Sequence, residues 1–141
     1  MSVIVTDDGF APDDWQFGYL DPDLVLDDAS RPAVALDLAN DADLAPLSPV
    51  LDRIDLIRIT FPGFADGRGF SLARELRLMG YAGRLRAAGH VIADQYAMAR
   101  RAGFDEVEID DALAARQTED QWRDRADWRE NDLRAPLRQI D

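Results

Sequence analysis

Between positions 56 and 109 three β-rich runs alternate with two helical patterns, and no other feature of this 141-residue chain restricts its fold so strongly. Residues 56–61 (LIRITF), 84–88 (RLRAA) and 105–109 (DEVEI) alternate apolar with polar positions at the period of a strand. Between the first two runs Leu72, Leu76 and Met79 recur at i, i+4 and i+7, which predicts a helix stopped by Gly80. Between the last two, Ile92, Tyr96 and Ala99 predict a helix over 91–102. Strands joined through helices pair in parallel by right-handed crossovers. Upstream, residues 33–38 (AVALDL) read as another strand and 42–51 as a weak, Pro-interrupted helix. The expectation is therefore an α/β fold: a small parallel sheet of about four strands in β-α-β-α-β order, with helices mainly on one face. Residues 1–30, with Asp pairs punctuated by Pro12 and Pro22, read as an irregular arm or short strands of a single domain spanning 1–111. Residues 112–141, rich in Arg and acids and carrying Trp122 and Trp128, read as a charged helical tail. Its i, i+4 pairs are Glu119 with Arg123 and Glu130 with Arg134.

The strands carry a second message, because parallel strands buried on both faces normally read as unbroken apolar runs. Here Ile57, Ile59 and Phe61 share one face, as do Leu85 with Ala87 and Val107 with Ile109. That leaves Arg58, Arg84, Arg86, Glu106 and Glu108 on the other face. Cross-strand ion pairing would account for them, and so would a charged cleft or an interface with a partner, a second copy in a homodimer included.

Composition excludes several chemistries. With no Cys the chain has no thiolate, no disulfide and no sulfur-held zinc or iron–sulfur cluster, and with no Lys it has no Schiff base and no P-loop. No bound cofactor is expected. The Asp pairs lack the spacing of a calcium loop, and no metal site is expected. A formal charge of −12 argues against nucleic acid or an anionic membrane as partner. No apolar run approaches the length of a membrane span, and acids stand in the first ten residues where a secretory signal is basic, so a cytoplasmic protein is expected.

The charge is unevenly spread. Residues 56–104 hold eight Arg, three acids and seven of the nine Gly, a local charge of +5 against −17 elsewhere. Within them, 61–77 (FPGFADGRGFSLARELR) runs from a strand end through a Gly-rich loop into a helix start. Free backbone N–H groups, the positive end of a helix and an adjacent Arg suit a small oxyanion or a phosphorylated ligand. The dinucleotide fingerprint is absent, since Leu72 stands where its third Gly belongs. Strand-to-helix loops of a parallel sheet emerge at one edge, so this loop should lie beside Gly89-His90, Asp94-Gln95 and Asp110-Asp111. Arg68, Gly69, Ser71, Arg86 and Gln95 are the candidate ligand-binding residues, and Asp66 and Asp94 the candidate acid–base residues. The competing readings are an Asp66–Arg68 surface pair in a tight turn and an Asp94 that only stabilises its helix start. His90, the one histidine, reads as a loop residue, and no nucleophile elbow surrounds Ser71.

Three segments, 61–77, 80–96 (GYAGRLRAAGHVIADQY) and 100–105 (RRAGFD), resemble the bacterial family called domain of unknown function 934. Many of its members carry the description of an oxidoreductase of sulfite reduction. Matching motif positions include Asp66, Gly67, Arg68, Gly69, Ser71, Arg74, Arg77, Gly80, Tyr81, Gly83, Arg86, Gly89, Asp94, Gln95, Gly103, Phe104 and Asp105. Arg84, His90 and Ala102 depart from that pattern, which usually has an acid, an Asp and often a Cys there. The resemblance implies a genomic setting beside sulfite reductase and reductases of activated sulfate. It points to an accessory protein of sulfate and sulfite reduction that binds a small anion, a pathway partner such as sulfite reductase, or both. The alternative is an oxidoreductase or other small enzyme of sulfur metabolism working on an anionic substrate through an Arg/Asp rim.

Overall fold

The computed structural model describes residues 2–20, 33–126 and 128, and its strands form one six-stranded sheet. In chain order they are β1 (Ser2–Thr6), β2 (Gly9–Pro12), β3 (Ala35–Ala39), β4 (Leu56–Phe61), β5 (Arg84–Gly89) and β6 (Glu106–Asp110). Across the sheet they lie in the order β2-β1-β6-β5-β4-β3. Strands β3 to β6 are parallel, with Leu36 beside Ile57, Ile57 beside Leu85 and Ala87 beside Val107. Between them run a 3-10 helix (Ala45–Arg53), α1 (Arg68–Leu78), and a short 3-10 turn (Ala93–Gln95) that leads into α2 (Tyr96–Ala102). Pro49 inside residues 45–53 removes a backbone donor, consistent with a tighter helix than the α-helix.

The sheet is larger than the four parallel strands expected, and it is mixed. β1 runs antiparallel to β6, and β2 antiparallel to β1. The cause is local: Val3, Ile4, Val5 and Thr6 are all β-branched, and Asp7-Asp8 make a tight turn closed by Gly9 at φ +115°. The Asp and Pro density of the arm masks that hairpin.

Strands that are neighbours in both chain and sheet send successive right-handed crossovers to the same face. On that face Leu36, Leu38, Ile57, Ile59, Phe61, Leu85, Ala87, Val107 and Ile109 are all buried. Phe61, Phe70 of α1 and Phe104 form its aromatic centre, with ring centroids 4.9 and 5.9 Å from Phe61. Burial of each such ring is favourable by about 1.5–3 kcal/mol.

The opposite face carries the predicted charges, and they pair across strands. Arg58 meets Glu108 at 3.2 Å and Asp37 at 2.8 Å, and Arg84 meets Glu106 at 2.6 Å. Arg86, with no exposed side-chain surface, meets Glu106 at 2.5 Å and Glu108 at 2.9 Å. The segment after β2 folds over them: Asp13 reaches Arg86, Asp14 reaches Arg84 and Arg86, and the Tyr19 ring lies 3.8 Å from the Arg58 guanidinium. Burial, the largest single influence, would lower the pKa of Arg86, but Glu106, Tyr19 and Glu108 together outweigh it and the net shift is upward.

Two helices follow β6, α3 (Asp111–Arg116) and α4 (Glu119–Arg123). Trp122 is buried edge-on to Tyr96, and its indole N–H donates to the Gln117 carbonyl. Glu119 accepts the Phe10 N–H at 2.8 Å and Arg123 donates to the Asp8 carbonyl, so α4 caps the start of the outer edge of β2. This part of the expected tail thus packs on the sheet. Residues 127 and 129–141, including Glu130 and Arg134, and residues 21–32 of the arm lie outside the described residues. Among the described residues no helix is long and apolar enough to cross a membrane.

Candidate functional site

The carboxyl ends of β4 and β5 carry the rim that the sequence predicts. β4 ends at Phe61 and its loop turns over residues 62–67, with the Asp66 N–H donating to the Gly63 carbonyl at 3.2 Å. Asp66 then receives three bonds from one residue: the Arg68 backbone N–H, its Nε at 3.1 Å and its Nη2 at 2.8 Å. The Arg68 fork, then Asn40, holds the Asp66 carboxyl well below the usual carboxylate range. Asn40, just past β3, is buried, and its Nδ2 faces that carboxylate without making a hydrogen bond of ordinary geometry. Gly69 is held by packing: a Cβ there would collide with the Phe61 ring. Ser71 is exposed on the first turn of α1.

The second rim loop is tied to the first through Gln95. Its Oε1 accepts the Ile92 N–H at 3.0 Å, and its Nε2 donates to the Phe64 carbonyl at 2.8 Å. That bond brings Gln95 to the loop of Asp66 and Arg68, as same-direction pairing of β4 and β5 requires. Asp94 points elsewhere, with Arg125 on it at 2.6 Å and most of its side chain in solvent. Asp110 is the N-cap of α3, accepting the Leu113 N–H at 2.7 Å. Arg86 is not brought to the rim: it lies within β5, on the opposite face, among its carboxylates.

Sequence reasoning passed over three residues that line a rim cavity of about 230 Å³: His90, Phe64 and Arg116. His90 follows Gly89, whose φ of +92° turns the chain at the end of β5. A Cβ on Gly89 would press the Phe61 carbonyl, the same oxygen that accepts the His90 backbone N–H and lies 3.1 Å from Nδ1. A carbonyl accepts only, so Nδ1 carries its proton toward Phe61 and Nε2 is the ring nitrogen left over. The ring stands edge-on to Phe64 at 4.9 Å. Arg116, exposed at the end of α3, has no ion pair among the described residues. The position of His90 at a strand end was legible in the sequence; the approach of Arg116 was not, because it depends on how α3 turns after Asp110.

A family model of bacterial proteins of unknown function, DUF934, matches residues 35–136. The chain belongs to that family. The matched span begins at β3 and takes in the parallel strands, both rim loops and α3 with Arg116, while the β1–β2 hairpin precedes it. No curated protein matches the chain.

Proposed function

We propose that this protein is an accessory component of sulfate and sulfite reduction that holds a small anionic ligand at the carboxyl rim of its sheet and works beside a pathway partner such as sulfite reductase. The observation that carries the ligand half is the Gln95–Phe64 bond, which gathers the Gly-rich loop, the start of α1 and Gly89-His90 at one edge beside an open cavity. Around that edge the donors exceed the groups that occupy them. Among the described residues Arg116 has no ion pair, Ser71 is exposed, and Arg68 meets only Asp66, an exposed pair whose opening costs about 0.2–1 kcal/mol. The pathway half rests on the family resemblance.

An accessory role suits the chemistry better than turnover by the chain alone. Asp66 stays ionised against Arg68 and has no proton to give near neutrality, and Asp94 lies in solvent against Arg125. Electrons and cofactor would come from the partner. The test has two arms. Sulfite, sulfate or phosphate should raise the melting temperature of the wild-type chain, and the double variant Arg68→Ala/Arg116→Ala should abolish the rise. Affinity-tagged protein from sulfate-grown cells should retain sulfite reductase. If none of the three anions moves the transition, the ligand half is wrong; if sulfite reductase is never recovered, the pathway half loses its support.

A further inference from the structure

Two cavities meet at one wall on the rim. The first, of about 230 Å³, has His90 and Ser2 in its lining; the second, of about 280 Å³, has Ile92 and Gln117. Phe64, Leu113 and Arg116 line both. We infer that this double cleft binds a small organic anion, with its anionic head on Arg116 and His90 and its apolar or planar body against Phe64, Leu113 and Ile92. The inference rests on the anion-holding reading above and names the ligand class and the residues.

Three observations carry it. First, the acids in the lining are already engaged. Glu108 is shared between Arg58 and Arg86 on the charged face, and Asp110 is bound to the Leu113 N–H. Glu108 is paired within the fold and Asp110 is occupied by a backbone N–H, whereas Arg116 has no ion pair among the described residues. Second, His90 is oriented before any ligand arrives. The Phe61 carbonyl fixes Nδ1 and the Phe64 edge fixes the ring plane, so Nε2 is the nitrogen available to a ligand. Protonated, it donates to an oxyanion; neutral, it accepts from a protonated one. Third, Phe64 is 41% exposed at the shared wall, one of four large hydrophobics so exposed among the described residues. An inorganic oxyanion would use Arg116 and His90 and leave Phe64 and the partly exposed Ile92 facing water. A ligand with an apolar or aromatic body covers them, which is the usual division of labour in a small-molecule site.

The probes are phenyl phosphate and inorganic phosphate, titrated calorimetrically into the full chain at low salt. Phenyl phosphate should bind about tenfold more tightly than phosphate. Arg116→Gln should weaken both by about tenfold or more, and Phe64→Ala should remove the preference while sparing phosphate. Both side chains are exposed, so neither variant threatens the core. His90→Phe, which keeps the edge contact but not Nε2, should weaken both ligands and leave the preference. Equal affinity for the two probes would overturn the organic-anion assignment. Binding that survives Arg116→Gln but is lost in Arg68→Gln would move the ligand to the start of α1, refuting this site while leaving the anion-holding reading intact. If neither probe binds, both fall together.

Discussion

The sheet presents arginine in two settings, and the contrast between them separates structure from function. On the charged face Arg58, Arg84 and Arg86 meet five carboxylates, Asp13, Asp14, Asp37, Glu106 and Glu108, and Arg86 has no solvent exposure. At the rim Arg68 is 61% exposed and closed on a neighbour two residues away, and Arg116 is closed on nothing among the described residues. The two groups differ in what removal leaves behind. Taking a guanidinium from the face strands buried carboxylates in a medium of low polarity, whereas taking one from the rim strands a solvated carboxylate or none. Saturation thus marks the face as part of the fold, and the proposed ligand site rests on the exposed donors of the rim.

The sharpest way to break this contrast is Arg86→Met. The substitution keeps much of the side-chain volume but leaves Glu106 with Arg84 alone and Glu108 with Arg58 alone. A loss of about 3–5 kcal/mol in urea unfolding is expected, with Arg86→Lys falling between variant and wild type. A loss below about 1 kcal/mol would show that the face behaves like ordinary surface pairing. Next in size is a test inside the rim motif itself, where two glycines flank Arg68. Gly69→Ala drives a Cβ into the Phe61 ring and should cost about 1–3 kcal/mol. Gly67→Ala meets only Phe70 at 3.8 Å, an ordinary contact, and should change stability by less than about 0.5 kcal/mol. Equal costs at both positions would mean that the rim loop is not docked on Phe61 as described.

These residues also show how far the sequence could be read. Alternation at positions 57–61 and 106–109 gave both the parallel strands and the existence of a charged face, because period-two patterning reports directly on which side each residue faces. The same patterning put Arg58 and Arg86 on one face with Glu106 and Glu108, where ion pairing was one of the readings it allowed, and Arg58–Glu108, Arg86–Glu106 and Arg86–Glu108 pairs are present. It could not supply Asp13, Asp14 or Tyr19, whose places depend on how the chain returns from β2 across 70 residues of separation. The hairpin was masked because its turn residues are the ones that also mark irregular chain. At the rim, Gln95 and Arg68 come to one edge as parallel pairing demands, whereas Arg86, in the same basic stretch, faces away because its position in β5 assigns it to the other side. His90 and Arg116 carry no local signature: an isolated histidine and a helix-terminal arginine are ordinary until a cavity joins them.

A smaller effect sharpens the comparison at the rim. Gln95→Ala removes two hydrogen bonds and the link between loops, and should cost about 1 kcal/mol in stability. Its larger consequence should be on ligand: without the Phe64 carbonyl held in place, oxyanion-induced stabilisation of the chain should fall even at saturating sulfite. Unchanged stabilisation would mean that the two loops hold their positions independently.

The smallest effect comes from acid, and it again divides the two settings. Asp14 has a lowered pKa, chiefly through its bond to Arg84 over the charged face. A carboxyl whose folded-state pKa lies below its unfolded value of about 3.9 contributes stability in full above that value and loses it as pH falls through the folded-state pKa. Asp14 is 64% exposed, so solvent screens most of the interaction and the contribution should stay under about 1 kcal/mol. Wild type should therefore lose stability more steeply than Asp14→Asn from about pH 4 downward, with the two curves converging once the carboxyl is protonated. Parallel curves would show that the arm over the sheet is held by Tyr19 and its packing on Arg58 rather than by charge.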